Sequence, residues 1–203
     1  MSPHSAPLSS KDRQLVQIID AASADAAHRS GSWLHCRLGC TQCCIGIFSI
    51  TQLDAVRLRA GLAELEATDP SRAAAVRARA AASIERLTPG FPGNTTTGQL
   101  DESHPDYEDF ANDETCPALD PATGACDLYT ARPVTCRVFG PPVQSEDGIG
   151  VCELNFVGAS EAEILAAQLD TSWSQLETSL NAQAEAEGHD SGPTTIAWAL
   201  VKH

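Results

Sequence analysis

The chain is short of the residues that usually fill a large core or grip a polyanion. Of 203 residues only 3 are Trp, 2 Tyr and 5 Phe, with a single Met. Much of the 42% apolar content is alanine, so one domain with a thin, helical core is expected. Positive charge is scarce: 13 Lys and Arg stand against 27 Asp and Glu, a net charge of −14. That balance argues against nonspecific nucleic-acid binding, which needs phosphate neutralisation, and against docking on anionic lipid. Its plain reading is a well-solvated surface. No apolar run reaches the roughly 18 residues of a membrane-spanning helix. Met1 to Ser10 show no positive cluster followed by an apolar stretch, so no secretory signal is expected and a cytoplasmic setting follows. Phosphate-binding glycine loops, a serine nucleophile elbow and the His-Glu-x-x-His helix are also missing, which weakens the case for an enzyme.

Against this sparse background stand eight cysteines. Four fall within nine residues, Cys36-Arg37-Leu38-Gly39-Cys40-Thr41-Gln42-Cys43-Cys44, and the others are Cys116, Cys126, Cys136 and Cys152. Without export, disulfides are not the expected resting state. Thiols this dense are best explained by a metal or an iron–sulfur cluster, which satisfies soft donors and ties distant segments together. Gly39 helps the loop to wrap, and loop N–H groups spread thiolate charge. Side chains of the adjacent Cys43 and Cys44 diverge, so one is expected to face the centre of Cys40 and the other a second centre or a packed wall. The Cys36-x3-Cys40-x2-Cys43 spacing also occurs in radical S-adenosylmethionine enzymes, but the repeated strand–helix units of their barrel are not found.

The rest of the chain reads as helices joined by cysteine-bearing loops. Residues 1–8 form a flexible tail, and 9–203 a single cysteine-cluster domain. Leu15, Ile18, Ile19, Ala22 and Ala26 have helical spacing from Ser9 or Ser10 to Arg29, ended by Gly31. Ile45 to Ile50 is a short strand or buried turn. Thr51 with Asp54 opens a helix to about Glu66, and Asp69-Pro70-Ser71 opens another ending near Leu87. Residues 88–115 read as a long acidic loop, functional or mobile. Glu161 to Glu187 reads as the longest helix, with Ile164, Leu165, Leu169, Trp173, Leu176 and Leu180 on one face. Thr194–Val201 packs back as a strand or short helix.

The second cysteine region contains Cys116-Pro117-Ala118-Leu119 and Gly124-Ala125-Cys126-Asp127-Leu128-Tyr129-Thr130-Ala131-Arg132-Pro133-Val134-Thr135-Cys136-Arg137-Val138-Phe139. With the first cluster, these segments resemble the YkgJ-like cysteine-cluster family, the zinc- or iron-chelating domain of Cys-x-x-Cys-x-x-Cys-Cys type. The resemblance covers roughly residues 34–156. It departs at the first gap, three residues instead of two, and at Thr41, where the family has glycine. It implies metal ligation by all eight cysteines: Cys36, Cys40, Cys43, Cys44, Cys116, Cys126, Cys136 and Cys152. Some relatives are associated with flagellin lysine N-methylation, so a methyltransferase-like enzyme using the cluster is the alternative to a metal-binding protein of structural, redox or metal-handling role.

The expected fold is therefore mainly α, organised around a cysteine-ligated metal or iron–sulfur centre. Eight donors make two Cys₄ sites, or one four-sulfur centre plus others. The crowded first cluster and widely spaced later cysteines favour a [4Fe–4S] cluster over zinc, whose sites usually show two Cys-x2-Cys knuckles. Arg132 and Arg137 either contact the centre and offset its negative charge, or pair with Asp127 or Asp120. Pro133 suits the first turn of a short helix carrying Val134 and Cys136. Tyr129 and Phe139 read as core. His35 is expected to point away from the cluster, and His104 to sit in a solvated loop. The partners expected are the metal or cluster, with room for a protein partner, and neither nucleic acid nor membrane.

Overall fold

A computed structural model describes residues 9–37, 39–145, 148–187 and 190–201. The expected tail over residues 1–8, together with Leu38, His189 and His203, lies outside them. Seven α-helices among the described residues carry the fold, and only two short hairpins accompany them.

Helix α1, Ser10–Ser30, begins where the Ser9 hydroxyl accepts the Asp12 N–H and ends at Gly31, whose φ of 52° suits a residue without Cβ. It buries Asp12, Leu15, Ile19, Ala26 and Ser30, one stripe at helical spacing. Helix α2, Gln52–Thr68, is capped by the Thr51 hydroxyl, and every residue from Gln52 to Leu58 is buried. That stretch includes two charges. Arg57 donates to Asp12 at 2.6 and 2.9 Å and to Asp54 at 2.6 Å, so both buried carboxylates share one guanidinium. Asp69 ends α2 and caps α3, Pro70–Leu87, with Pro70 in the first turn.

Ala55, Ala73 and Ala80 let α2 and α3 approach closely around Leu58, Leu62 and Val76. The last described helix, α7 (Ile196–Val201), packs on this pair through Ile196, Ala199 and Leu200. A second core joins α1 to the C-terminal segments through Leu15, Ile19, Leu169, Trp173 and Leu180.

Two expectations are corrected here. The long helix over 161–187 is two, α5 (Glu161–Ala166) and α6 (Ser174–Ala186), and α1 with 21 residues exceeds both. Asp170 accepts the Ser172 N–H and breaks the run, while Arg29 caps the freed carbonyls of Ala166 and Gln168 at 2.6 and 2.8 Å. The segment 88–115 is built, not structureless. Hairpin β1–β2 (Gly93–Asn94 with Gln99–Leu100) folds over Trp198, whose indole N–H donates to Thr95 O at 3.0 Å. Phe91 meets that indole at 4.3 Å between ring centroids.

Between Ile45 and Ile50 there are only isolated bridges, Ile45 to Thr115 and Ile50 to Thr194, so this run is an irregular connection and not a strand, with Ile45 exposed and Ile50 buried. Pro133 precedes α4, Val134–Val138, and hairpin β3–β4 (Val143–Ser145 with Gly148–Gly150) follows. No described helix is long and apolar enough to cross a membrane.

Candidate metal centre

Three segments converge beside the α2–α3–α7 core. The first cluster is wound by local turns: Cys40 N–H to Arg37 O at 2.9 Å, with Gly39 at φ 87°, then Cys44 N–H to Thr41 O at 2.7 Å. The second segment is stitched to the first where the Cys116 N–H donates to Cys44 O at 2.8 Å. A bridge between Leu119 and Cys126 folds that segment into a tight loop. Asp127, 1% exposed and clamped by Arg72 and Arg79, holds the loop against α3. The third segment is α4, which carries Cys136.

Together these segments enclose a cavity of about 410 Å³. Seven cysteines line it: Cys36, Cys40, Cys43, Cys44, Cys116, Cys126 and Cys136. Cys116, Cys126 and Cys136 pack against the hydrophobic core, whereas Cys36 is exposed at the rim. Cys152 is outside the lining. It stands beside Cys36, because Asn155 donates to the Cys36 sulfur at 3.6 Å and the Phe156 N–H donates to Trp33 O at 3.1 Å. Among the described residues no group of three His, Cys, Asp or Glu side chains is arranged to hold one metal ion as it stands. The sulfurs surround a space rather than a point.

The charged residues of the lining are all arginines, Arg37, Arg132 and Arg137, in a chain with a net charge of −14. Arg137 is saturated by structural bonds. Its guanidinium donates to Asp20 at 2.8 and 2.9 Å, to Thr130 O at 2.5 Å and to Arg132 O at 3.0 Å, which ties α4 to α1. Arg132 lies 4.0 Å over the Tyr129 ring and 3.6 Å from Asp20. The expected pairing of these arginines with Asp127 or Asp120 is thus corrected. Their carboxylate is Asp20, because Asp127 belongs to Arg72 and Arg79, and Asp120 accepts from Thr123 and Ala122 within its own turn. Tyr129 is not core either. It is 62% exposed at the cavity wall, whereas Phe139 packs edge-on against Phe48. His35 is exposed and meets Trp33 O at 3.4 Å, and His104 accepts the Asp106 N–H at 3.2 Å in its own turn.

Burial sets the electrostatics. It pushes the Cys116 thiol up to about 12 and raises Cys126 and Cys136 as well. These three are neutral thiols near pH 7 when nothing ligates them. Cys43 and Cys44 form a hydrogen-bonded pair: the bond from Cys44 lowers Cys43, and giving it raises Cys44. The Arg132 charge favours the thiolate forms of Cys43 and Cys126. Asn155, Asp20 and Gly140 went unnoticed in the sequence. A Cβ on Gly140 would sit 2.8 Å from the Cys36 sulfur, and only the proximity of Asn155 to Cys152 in the chain hinted at a role.

A helical frame around a sulfur-lined, carboxylate-free cavity presents a set of soft donors. The family is specific: a family model described as "Putative zinc- or iron-chelating domain", of CxxCxxCC type, matches residues 35–153, and the chain belongs to that family. The matched stretch contains all eight cysteines. No curated protein and no solved structure matches the chain.

Proposed function

We propose that this protein binds a thiolate-ligated iron or zinc centre in the cavity, with a polynuclear iron–sulfur cluster preferred to a lone zinc ion. The observation that carries the reading is the lining itself: seven sulfurs around about 410 Å³, without a histidine or carboxylate. Soft thiolates select zinc, copper(I) or iron–sulfur, and catalytic zinc normally keeps a His or Glu ligand and a water. A lone zinc draws four sulfurs to about 2.3 Å, which leaves three of the seven unused. A cluster supplies electron transfer or a structural cross-link when bound. The protein's own part is to hold the sulfurs on three tethered segments, to bury three of them against apolar residues, and to set Arg132 beside the charge. The lysine N-methyltransferase alternative draws no support from the comparisons.

The test is purification without oxygen, followed by iron, zinc and acid-labile sulfide counts and a visible spectrum. Coloured protein with iron and sulfide is the expected result. Colourless protein with zinc removes the cluster and leaves metal binding. Protein that holds neither metal under these conditions, and takes up neither on reconstitution, removes the whole reading.

A further inference from the structure

The eight thiols do not form one continuous shell. Cys44, Cys116, Cys126 and Cys136 sit at the inner end of the cavity. The Cys116–Cys44 backbone bond and the Leu119–Cys126 bridge hold the first three in register. α4 brings Cys136 to the same apolar wall, with Cys116 and Cys126. Cys36, Cys40 and Cys152 belong to the rim and are held by different groups. The Asn155 side chain clamps the two strands of chain that carry Cys36 and Cys152. Its Oδ1 accepts the His35 N–H at 2.8 Å, and its Nδ2 reaches Gly140 O at 2.9 Å and the Cys36 sulfur at 3.6 Å. Its backbone N–H donates to Cys152 O at 2.8 Å. Gln42 adds a bond to Glu153 at 2.7 Å, tying the first cluster to the Cys152 turn.

Electrostatic neighbourhoods follow the same division. Cys36 feels Cys40, Cys152 and Cys43, whereas Cys136 feels Cys116, Cys43 and Cys126. Cys43 appears in both groups, and Cys44 beside it feels Cys43, Cys116 and Cys126.

We propose that the chain carries two neighbouring metal sites, an inner one on Cys44, Cys116, Cys126 and Cys136 and an outer one on Cys36, Cys40 and Cys152, with Cys43 between them. The inner four sulfurs are enough for a closed tetrathiolate centre or a cluster. The outer three, with Cys36 exposed, suit a soft cation that exchanges with solution, its fourth ligand being Cys43 or a small thiol from solvent. Arg37, exposed, lines the cavity beside Cys36 and Cys40 and supplies positive charge to such an incoming thiolate. This inference rests on the metal-binding reading above.

The deciding experiment compares the whole protein with a Cys36→Ser/Cys152→Ser variant and a Cys116→Ser/Cys136→Ser variant, all purified without oxygen. The readouts are metal per chain, absorption spectrum and helical circular dichroism. The outer variant is expected to keep its helix signal and the inner site's spectrum while losing part of its metal. The inner variant is expected to lose that spectrum. An outer variant that folds and loses all metal means one shared centre and overturns the proposal, while metal binding stands. An outer variant with full metal content also overturns it, since Cys36 and Cys152 then ligate nothing. Should the outer variant not fold, chelator titration of the unaltered protein decides. Two resolved phases of metal release support two sites, and a single phase overturns them. Unaltered protein that binds no metal fails the underlying reading instead.

Discussion

The Asp54 carboxylate accepts the backbone N–H of Val134 at 3.1 Å, from a position 80 residues earlier in the chain. The same oxygen takes Arg57 at 2.6 Å, so one buried carboxylate both balances an arginine and fixes the first turn of α4, two residues before Cys136. Asp54→Ala is expected to cost about 3–5 kcal/mol, the usual loss when one partner of a buried ion pair is removed. Asp54→Asn keeps an acceptor for Val134 and should lose less. Urea unfolding of both variants checks this, and equal losses would show that the Val134 bond contributes nothing.

Gly61 lies inside α2, where Gly→Ala ordinarily gains up to about 1 kcal/mol. Here the sign reverses. A Cβ at this position falls 2.3 Å from the Cβ of Ala131, in the turn leading to α4. Overpacking of this kind costs about 1–3 kcal/mol, so Gly61→Ala is expected to lower the unfolding midpoint. Adding Ala131→Gly should recover most of the loss, and a double-mutant cycle with no coupling would refute the contact.

Metal uptake should release protons. Cys116, pushed up to about 12 by burial, and the similarly raised Cys126 and Cys136 must ionise to ligate. Protons therefore compete with the metal at neutral pH, and affinity rises with pH by roughly tenfold per unit for each proton expelled. Competition against a chelator of known pH dependence, from about pH 6 to 9, measures the slope. A flat profile would mean that the inner thiols are not ligands.

Glu177 lines a separate cavity with Asp54, Glu102 and Glu185, and burial, with repulsion from Asp54, raises it from 4.5 to about 7. The nearby Arg57 opposes the shift but does not cancel it. Between these two values the folded chain holds a proton that the unfolded chain has released, so this group makes stability fall as pH rises. Its cost is absent below about pH 4.5 and complete above about 7. Because the side chain is partly exposed, the discounted effect is on the order of 1 kcal/mol. Glu177→Gln should gain that amount at pH 8 and nothing at pH 4. The difference between parent and variant, read by denaturant unfolding, isolates it from metal effects. A difference that does not change with pH would contradict the assignment.

The helix starts at Ser9, Thr51 and Asp69 were legible because a cap is a local device: one side chain, one N–H three residues on. The α4 start was legible for another reason, the fixed φ of Pro133, since no side chain caps it locally. What was not legible depended on partners far along the chain. Nothing near Arg137 points to Asp20, 117 residues away. Over 161–187 Leu169, Trp173 and Leu180 are buried but Leu165 is exposed, because periodicity alone does not register the Asp170–Ser172 turn that divides the run. Residues 88–115 lack periodicity because their order comes from rings stacked on Trp198, a contact made across about half the chain. For the site, the clustered cysteines announced themselves by spacing. The division between rim and interior did not, because it rests on Asn155 and on bridges between segments.

Ile196, the first residue of α7, closes one side of the sulfur-lined cavity, and α7 is translated after all eight cysteines. During synthesis every thiol therefore emerges before the wall that seals the chamber. Until α7 is made, the sulfurs are reachable from the side that Ile196 covers in the finished fold. Metal supplied before α7 is made meets a flank that is covered in the finished protein.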